Sequence, residues 1–285
     1  MMDLKQAQHY CEKKAVRSGS SFYYSFLFLA PDLRHTMTAL YAFCREVDDI
    51  VDMDKDPSVA RQTLNWWREE IVRLYQHQAS HPITKVLQST DLTQRAPQSY
   101  FQDIIDGMEM DLDIHHYPSF RELELYCYRV AGAVGILTTY VFGFTQEATL
   151  TFAKKLGIAL QLINIIRDVG EDARCARIYI PGNELVQYGV EAQMLTQRTN
   201  NKATHDLLQH QAGRARRIYQ EALQILPKED RSQQRVSLIM GEIYLQLLNE
   251  IEHDGFIIRN ECITLTPIRK LYLAWRTYRR EKKAA

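Results

Sequence analysis

The sequence predicts one all-α domain, and three observations carry that reading. Only 12 glycines and 8 prolines occur in 285 residues, and runs such as 58–80, 146–169 and 229–254 hold no proline and at most one glycine, a composition that favours long helices. Apolar residues recur at helical spacing, and no segment alternates with a period of two. No low-complexity linker or shift of composition marks a boundary, so residues 1–285 read as a single domain, with 46% hydrophobic and 25% charged residues to build a large core.

Residues 3–16 read as a first short helix, after which RSGSSFYYSFLFLAP (17–31) passes from small polar residues into an aromatic run that Pro31 stops. Asp32 is the expected cap of the next helix, LRHTMTALYAFCREVDDIVD. That helix should end near Asp54 to Pro57, because the residue before a proline is pushed out of the α region. Residues 58–76 place Leu64, Trp67, Ile71, Leu74 and Tyr75 on one face and read as a core helix, and Pro82 opens a shorter one. In 95–118 an acidic cluster aligns Asp103, Asp106, Met110 and Asp113, which suits a solvated or supporting face better than a metal site. Residues 119–144 are apolar almost all round, with Ala131, Gly132, Ala133 and Gly135 leaving room for a second helix or a ligand chain. Residues 173–190, with Pro181, Gly182 and Gly189, read as a loop holding a short helix, a candidate lid. The last third, 200–226, 229–254 and 266–281, is again helical, broken by LPKED and around Gly255.

Zero formal net charge gives no global basic field and speaks against nucleic acid as a partner. The five scattered cysteines form no CxxC pair and read as free thiols in a reducing compartment, so a cytoplasmic location is expected. The N-terminus has no basic region followed by an apolar one, and no window approaches 18 uninterrupted apolar residues, so no membrane span is expected.

The chemistry lies in two segments of matching spacing. In QLINIIRDVGED (161–172), Gln161, Asn164, Asp168 and Asp172 fall within roughly 80° of one another on a helix. In YAFCREVDDIVD (41–52), Tyr41, Arg45, Asp48 and Asp52 share a stripe about 60° wide. Two such stripes suggest facing walls of one site. Aspartates four apart repel by a few tenths of a kcal/mol, so two such pairs invite a cation. Mg²⁺ is the natural one, since it takes hard oxygen ligands and is held by carboxylates together with substrate phosphates. Neither stripe carries a thiolate or imidazole, which disfavours zinc and copper, and a di-iron bundle would need a second Glu-x-x-His beside Glu250 and His253. Arg45 and Arg167 are suited to clamp phosphate oxygens as a diphosphate leaves. A single DxxxD is more often a solvated face than a metal site. Two copies in apolar helices, each preceded by hydrogen-bonding or cationic residues, reverse those odds.

YAFCREVDDIVD and QLINIIRDVGED, with RIYIP after them and GSSFYYSF and YCYRVAGAVG before, resemble the squalene and phytoene synthase family of head-to-head prenyltransferases, over nearly the whole chain. GSSFYYSFLF, DGMEMDL, LYCYRVAG and LTPIRKLYLAWRT look most like its bacterial hopanoid-pathway branch, which makes presqualene diphosphate. The resemblance implies an isoprenoid-synthase-type helical bundle around a central cavity, with the two motifs facing each other across Mg²⁺. By position it makes Asp48, Asp52, Asn164, Asp168 and Asp172 metal ligands, and places Ser18, Ser21, Tyr41, Arg45, Gln161 and Arg167 on prenyl diphosphate. Phe22, Tyr128, Tyr179 and Tyr244 would join the aromatic wall or the polar network near the diphosphate. Where many relatives carry a basic residue before the serine-phenylalanine pair this chain has Ser20, which leaves Arg17, Arg174 and Arg177 as candidates for that charge.

The reaction implied is ionisation of one farnesyl diphosphate, attack on its allylic cation by the C2–C3 double bond of a second, and proton loss that closes a cyclopropane. A tyrosine or the departing diphosphate is the implied base. NADPH is not expected to be required, on the branch resemblance alone. The C-terminal PIRKLYLAWRTYRREKKAA mixes aromatic and apolar residues with seven basic ones and one acid; peripheral contact with the inner membrane and a plain packing helix fit it about equally. Downstream isoprenoid enzymes are conceivable partners. The rivals are a phytoene, dehydrosqualene or full squalene synthase, a head-to-tail prenyltransferase suggested by Asp48, Asp49 and Asp52 but not by the second motif, and a non-catalytic assembly factor or lipid-binding protein that has kept this fold.

Overall fold

The computed structural model describes residues 3–17, 26, 29–51, 56–197, 201–259 and 263–284. Among them every regular element is helical, and extended backbone pairs only in an isolated parallel bridge between His116 and Ile178. In chain order the α-helices are α1 (Leu4–Arg17), α2 (Pro31–Asp48), α3 (Pro57–Tyr75), α4 (Pro82–Gln88), α5 (Leu92–Arg95), α6 (Ser99–Asp113) and α7 (Phe120–Cys127). A π-helical turn, Tyr128–Gly132, joins α7 to α8 (Ala133–Phe142). Next come α9 (Ala148–Arg174), α10 (Gly182–Tyr188), α11 (Ala192–Thr196), α12 (Lys202–Ile225), a 3-10 turn at Lys228–Asp230, α13 (Arg235–His253) and α14 (Pro267–Ala284).

Two boundaries differ from expectation. Pro31 takes the first position of α2, where its missing N–H costs nothing, so Asp32 lies inside the first turn and caps nothing with its side chain. At the other end α2 stops at Asp48, and the Val51 amide turns back onto the Asp48 carbonyl at 3.1 Å. Acidic residues crowd the sequence from Asp48 to Asp56, and negative charge at a helix C-terminus opposes the helix dipole. Asp52 lies outside the described residues, as do Ser18, Ser21 and Phe22.

Helix α9 runs through the centre of the molecule, buried along most of its length and packed against α12, α8 and the π turn. Asp230 holds its start, accepting hydrogen bonds from the Thr145 amide at 2.8 Å, from the Gln146 amide at 3.0 Å and from the Thr149 hydroxyl. The small residues expected to admit a close neighbour do so. A Cβ on Gly157 would stand 2.3 Å from the Ala131 carbonyl oxygen, and one on Gly135 2.5 Å from that of Ala153. Phe120–Phe142 and Ala148–Arg174 are long and apolar enough to cross a membrane, but 50% and 61% of their most apolar stretches are buried inside the protein, where they form its centre.

The acidic face of α6 meets α3 and the π turn while staying partly open to solvent, with Asp113 exposed. Asp103 accepts from Tyr128, Asp106 from Arg68, and Asp113 from Arg61. The candidate lid is tied down. The Ile178 amide bonds the His115 carbonyl at 2.9 Å, and those of Gly182 and Asn183 bond Tyr117 and Pro118 at 2.8 and 3.1 Å, making 177–183 a fixed wall.

Candidate active site

A cavity of about 180 Å³ separates α2 from α9, with α13 closing a third side. Tyr41, Gln161, Asn164 and Tyr244 lie at it, while Leu40, Val134, Leu160 and Met240 supply an apolar wall. Tyr41 of the first stripe and Gln161 and Asn164 of the second therefore face one space. Helical periodicity explains why: the residues four before Gln161 and three after it, Gly157 and Asn164, line the same cavity, and Tyr41 and Cys44 follow the same rule on α2.

Beyond the cavity the charged residues pair within their own helices. Arg45 sits 2.5 Å from Asp48 and 2.8 Å from Asp49, and Lys14 of α1 bridges Asp49 and Glu46 at 2.8 and 2.7 Å. On α9 the Arg167 guanidinium donates to both oxygens of Asp168, at 2.7 and 2.5 Å. Each stripe thus carries its own arginine beside its own carboxylate. Asp172 is pushed up to about 7, first by burial and then by the neighbouring charges of Asp168 and Glu171.

Two observations bear on a divalent cation. The Asn164 Nδ2 donates to Gln161 Oε1 at 3.3 Å, while its Oδ1 is buried with no hydrogen-bond partner, an uncompensated hard acceptor one turn from Asp168. Asp172, a crowded carboxylate that holds a proton up to about pH 7, gains from a nearby positive charge. Asn164, Asp168 and Asp172 fit an oxygen-ligated Mg²⁺. Among the described residues no three His, Cys, Asp or Glu side chains gather closely enough to hold a metal by themselves, and Asp52 of the first pair is not among them.

Beside the second stripe lies a buried group that sequence reasoning missed. Asp111 of α6 accepts from the hydroxyls of Tyr179, at 2.8 Å, and Tyr126, at 3.0 Å. The two rings stack with centroids 5.1 Å apart, and Tyr117 stacks on Tyr179 at 5.9 Å. Burial pushes Asp111 up to about 6, against the hydrogen bond from Tyr179 and the charge of Arg177. Arg177 donates to the Val51 carbonyl at 3.0 Å, so one side chain joins the end of the first motif to the segment after the second. A signal for Asp111 was present: it continues the apolar spacing of Phe101, Ile104 and Met108, and a carboxylate on a buried face needs partners.

The other expected residues divide. Tyr41, Gln161, Asn164 and Tyr244 come together at the cavity; Arg45 with Asp48, and Arg167 with Asp168, pair farther along the same two helices; Tyr179 and Arg177 join the Asp111 group. Tyr128 stands apart: its hydroxyl donates to Asp103 at 2.6 Å and the Lys154 ammonium lies 4.7 Å over its ring. Tyr126, two residues earlier, occupies the buried position instead, since residues two apart on a helix point about 200° apart. Of the candidates for the missing basic residue, Arg177 lies beside the motifs, Arg174 is exposed and donates to the Arg259 carbonyl, and the side chain of Arg17 lies outside those described.

The chain is similar to known proteins over most of its length. A family model described as squalene/phytoene synthase matches residues 15–272. A presqualene diphosphate synthase of Sinorhizobium fredii is 34% identical over 273 residues, covering 95% of this chain and 97% of that protein. A chloroplastic phytoene synthase of an Oncidium hybrid cultivar is 31% identical over 259 residues, 89% of this chain, and the chain spans 63% of its length. Among solved structures, a dehydrosqualene synthase in complex with ligand superposes with a TM-score of 0.86 at 25% identity, covering 98% of both chains.

Proposed function

Because the chain belongs to the squalene/phytoene synthase family, whose enzymes condense prenyl diphosphates, we propose that it is a Mg²⁺-dependent presqualene diphosphate synthase joining two molecules of farnesyl diphosphate head to head. The observation that carries this reading is the cavity itself: an apolar space with Tyr41 on one side and Gln161 and Asn164 on the other, each on a helix that pairs an arginine with an aspartate farther along. The apolar wall suits a prenyl chain, and Tyr41, Gln161 and Tyr244 stand where its diphosphate would lie.

Arg45 and Arg167 hold carboxylates of their own helices, and on this reading both exchange these for diphosphate oxygens, which accept the same bidentate fork. Asp48, Asp52, Asn164, Asp168 and Asp172 would hold Mg²⁺, which as a Lewis acid takes up charge from the leaving diphosphate. The cavity wall is mostly apolar; its Cys44 thiol, which burial pushes up to about 12, stays protonated, and Thr138 and Ser237 are its aliphatic hydroxyls. An allylic cation formed there is shielded until the C2–C3 double bond of the second substrate attacks it. Cyclopropane closure then releases a proton. Tyr126 and Tyr179 keep their own protons, because burial and the charge of Asp111 raise both far above the ordinary phenol range, so they suit relay towards Asp111 better than acting as bases alone.

Presqualene diphosphate is favoured as product by the end-to-end match to a relative bearing that name, and no nicotinamide is required on that reading. The second reading is a phytoene or dehydrosqualene synthase, favoured by the chloroplastic phytoene synthases among the relatives and by the dehydrosqualene synthase among the structures. Free thiols at Cys11, Cys44, Cys127 and Cys175 suit a reducing cytoplasm. The test is incubation of the purified protein with farnesyl diphosphate and Mg²⁺, with and without NADPH, and product identification by mass spectrometry. Presqualene diphosphate in both reactions supports the reading, squalene only with NADPH makes it a squalene synthase, and turnover of geranylgeranyl diphosphate alone replaces it with the phytoene reading.

A further inference from the structure

Helix α14 has two faces of opposite character. Leu273, Ala274, Thr277 and Glu281 are buried, and the helix packs on α13. On the opposite side Ile268, Leu271, Tyr272 and Trp275 stand exposed, Ile268 to 81%. At about 100° per residue these four, with Arg279 and Lys282, fall inside an arc of about 100° centred on Trp275. The stripe from Ile268 to Lys282 is about 21 Å long. The seven other large hydrophobic side chains exposed among the described residues are spread over four other helices, so this is where they concentrate.

We propose that the outward face of α14 docks in the plane of an anionic lipid bilayer. Charge decides the partner. From Pro267 to Arg280 the helix carries no acid, and Arg269 and Arg276 bind Glu250 and Glu242 of α13 while Glu281 is taken up by Arg231 and Arg280. The neighbouring carboxylates are thus neutralised, and the outward arc presents Arg279 and Lys282 together with the apolar residues. Arg279 lies 5.0 Å over the Trp275 ring, so cation and indole project as one unit, the pairing that suits a headgroup above an acyl boundary. A second copy of the chain fits worse: a two-fold contact through this face would set its basic residues against themselves. The same helix turns Lys270 inward, where it shares a small pocket with Arg167 and Tyr244, so the docking face and one wall of the proposed diphosphate site are two sides of one helix.

The test uses the full chain in a vesicle-sedimentation assay, with phosphatidylcholine alone and with phosphatidylcholine containing a third phosphatidylserine. The wild type should sediment with the mixed vesicles, release in high salt, and bind phosphatidylcholine weakly. Reversing two charges, in Arg279→Glu with Lys282→Glu, should weaken binding at least about tenfold. Leu271→Ser with Trp275→Ser should weaken it as well, and each variant should keep the helical circular dichroism of the wild type. Trp275 emission should shift to the blue with mixed vesicles, and the shift should vanish in Trp275→Phe. Equal binding to both vesicle types, no binding by the wild type, or binding unchanged in both double variants overturns the proposal. So does an apolar-face variant that only dissociates a dimer in sedimentation velocity. None of these readouts depends on the substrate, so the outcome stands whichever prenyl diphosphate the site takes.

Discussion

The Tyr179 hydroxyl donates to Asp111 at 2.8 Å, joining the wall after the second aspartate motif to a carboxylate on a helix in the other half of the chain. Tyr126 completes the group from the other side at 3.0 Å. Burial raises Asp111 from an ordinary 3.8 to about 6, so between those values the folded protein keeps a proton that the unfolded chain has lost. This contribution is full below about pH 3.8 and is lost as pH rises through about 6, roughly 3 kcal/mol in all. Asp111→Asn should therefore flatten the pH dependence of Tm between about pH 4 and 6, while kcat falls by about tenfold to a hundredfold because the tyrosine hydroxyls lose their acceptor. Unchanged kcat with a retained fold would remove Asp111 from the proton path.

On α9, Arg167 and Asp168 form a bidentate pair between neighbours in sequence, and the substrate is expected to break it. Asp168→Asn should cost most of the turnover and raise the Mg²⁺ concentration needed for half-maximal rate, with the helical circular dichroism intact. Arg167→Lys should be costly too, about tenfold or more in kcat/KM, because a point charge does not replace the planar fork. Steady-state kinetics across a Mg²⁺ series separates the two. Wild-type rates in either variant would sink the reading of this stripe.

The helices were legible because each repeats an apolar period of its own, and the two polar stripes because they interrupt that period at matching offsets. Tyr41, Gln161 and Asn164 come to one cavity for that reason. What local pattern did not show has identifiable causes. Tyr126 and Tyr128 point about 200° apart on a helix, and a segment apolar almost all round does not announce which of the two faces inward. The end of α2 is set by charge accumulated over nine residues against a helix dipole, a balance that the proline boundary at Pro57 concealed. Segment 177–183 has the composition of a flap, and becomes a wall through backbone bonds to residues some sixty positions earlier.

Glu70, wholly buried in α3, holds the start of α4. It accepts from the Ser80 and His81 amides at 2.7 and 2.8 Å, from the Ser80 hydroxyl at 2.6 Å, from Arg73 at 2.8 Å and from Thr84. Burial alone would raise its pKa, but these donors outweigh burial and hold it down at about 2. The stability it confers is present above about pH 4.5 and is lost as pH falls towards 2. Glu70→Gln should lower stability by about 2–4 kcal/mol at neutral pH and remove that part of the acid limb, as read by urea unfolding at several pH values.

Two glycines offer a paired test of how closely α9 must approach the turn before α8. Both Gly157 and Gly213 lie inside helices, so alanine should improve helix propensity at each by about 0.5–1 kcal/mol. At Gly213 nothing stands within 4 Å of the new carbon, and Gly213→Ala should realise that gain as a higher Tm. At Gly157 the carbon would meet the Ala131 carbonyl oxygen at 2.3 Å and the Gly132 Cα at 2.9 Å, both backbone, so neither can move aside without moving the π turn. Overpacking of that kind costs about 1–3 kcal/mol and should reverse the sign. Because Ala131 and Gly157 also line the cavity, Gly157→Ala should lower kcat/KM as well as Tm, whereas Gly213→Ala should leave kinetics unchanged. Equal behaviour of the two variants in thermal melts would mean that α9 and the π turn are further apart than the structure places them.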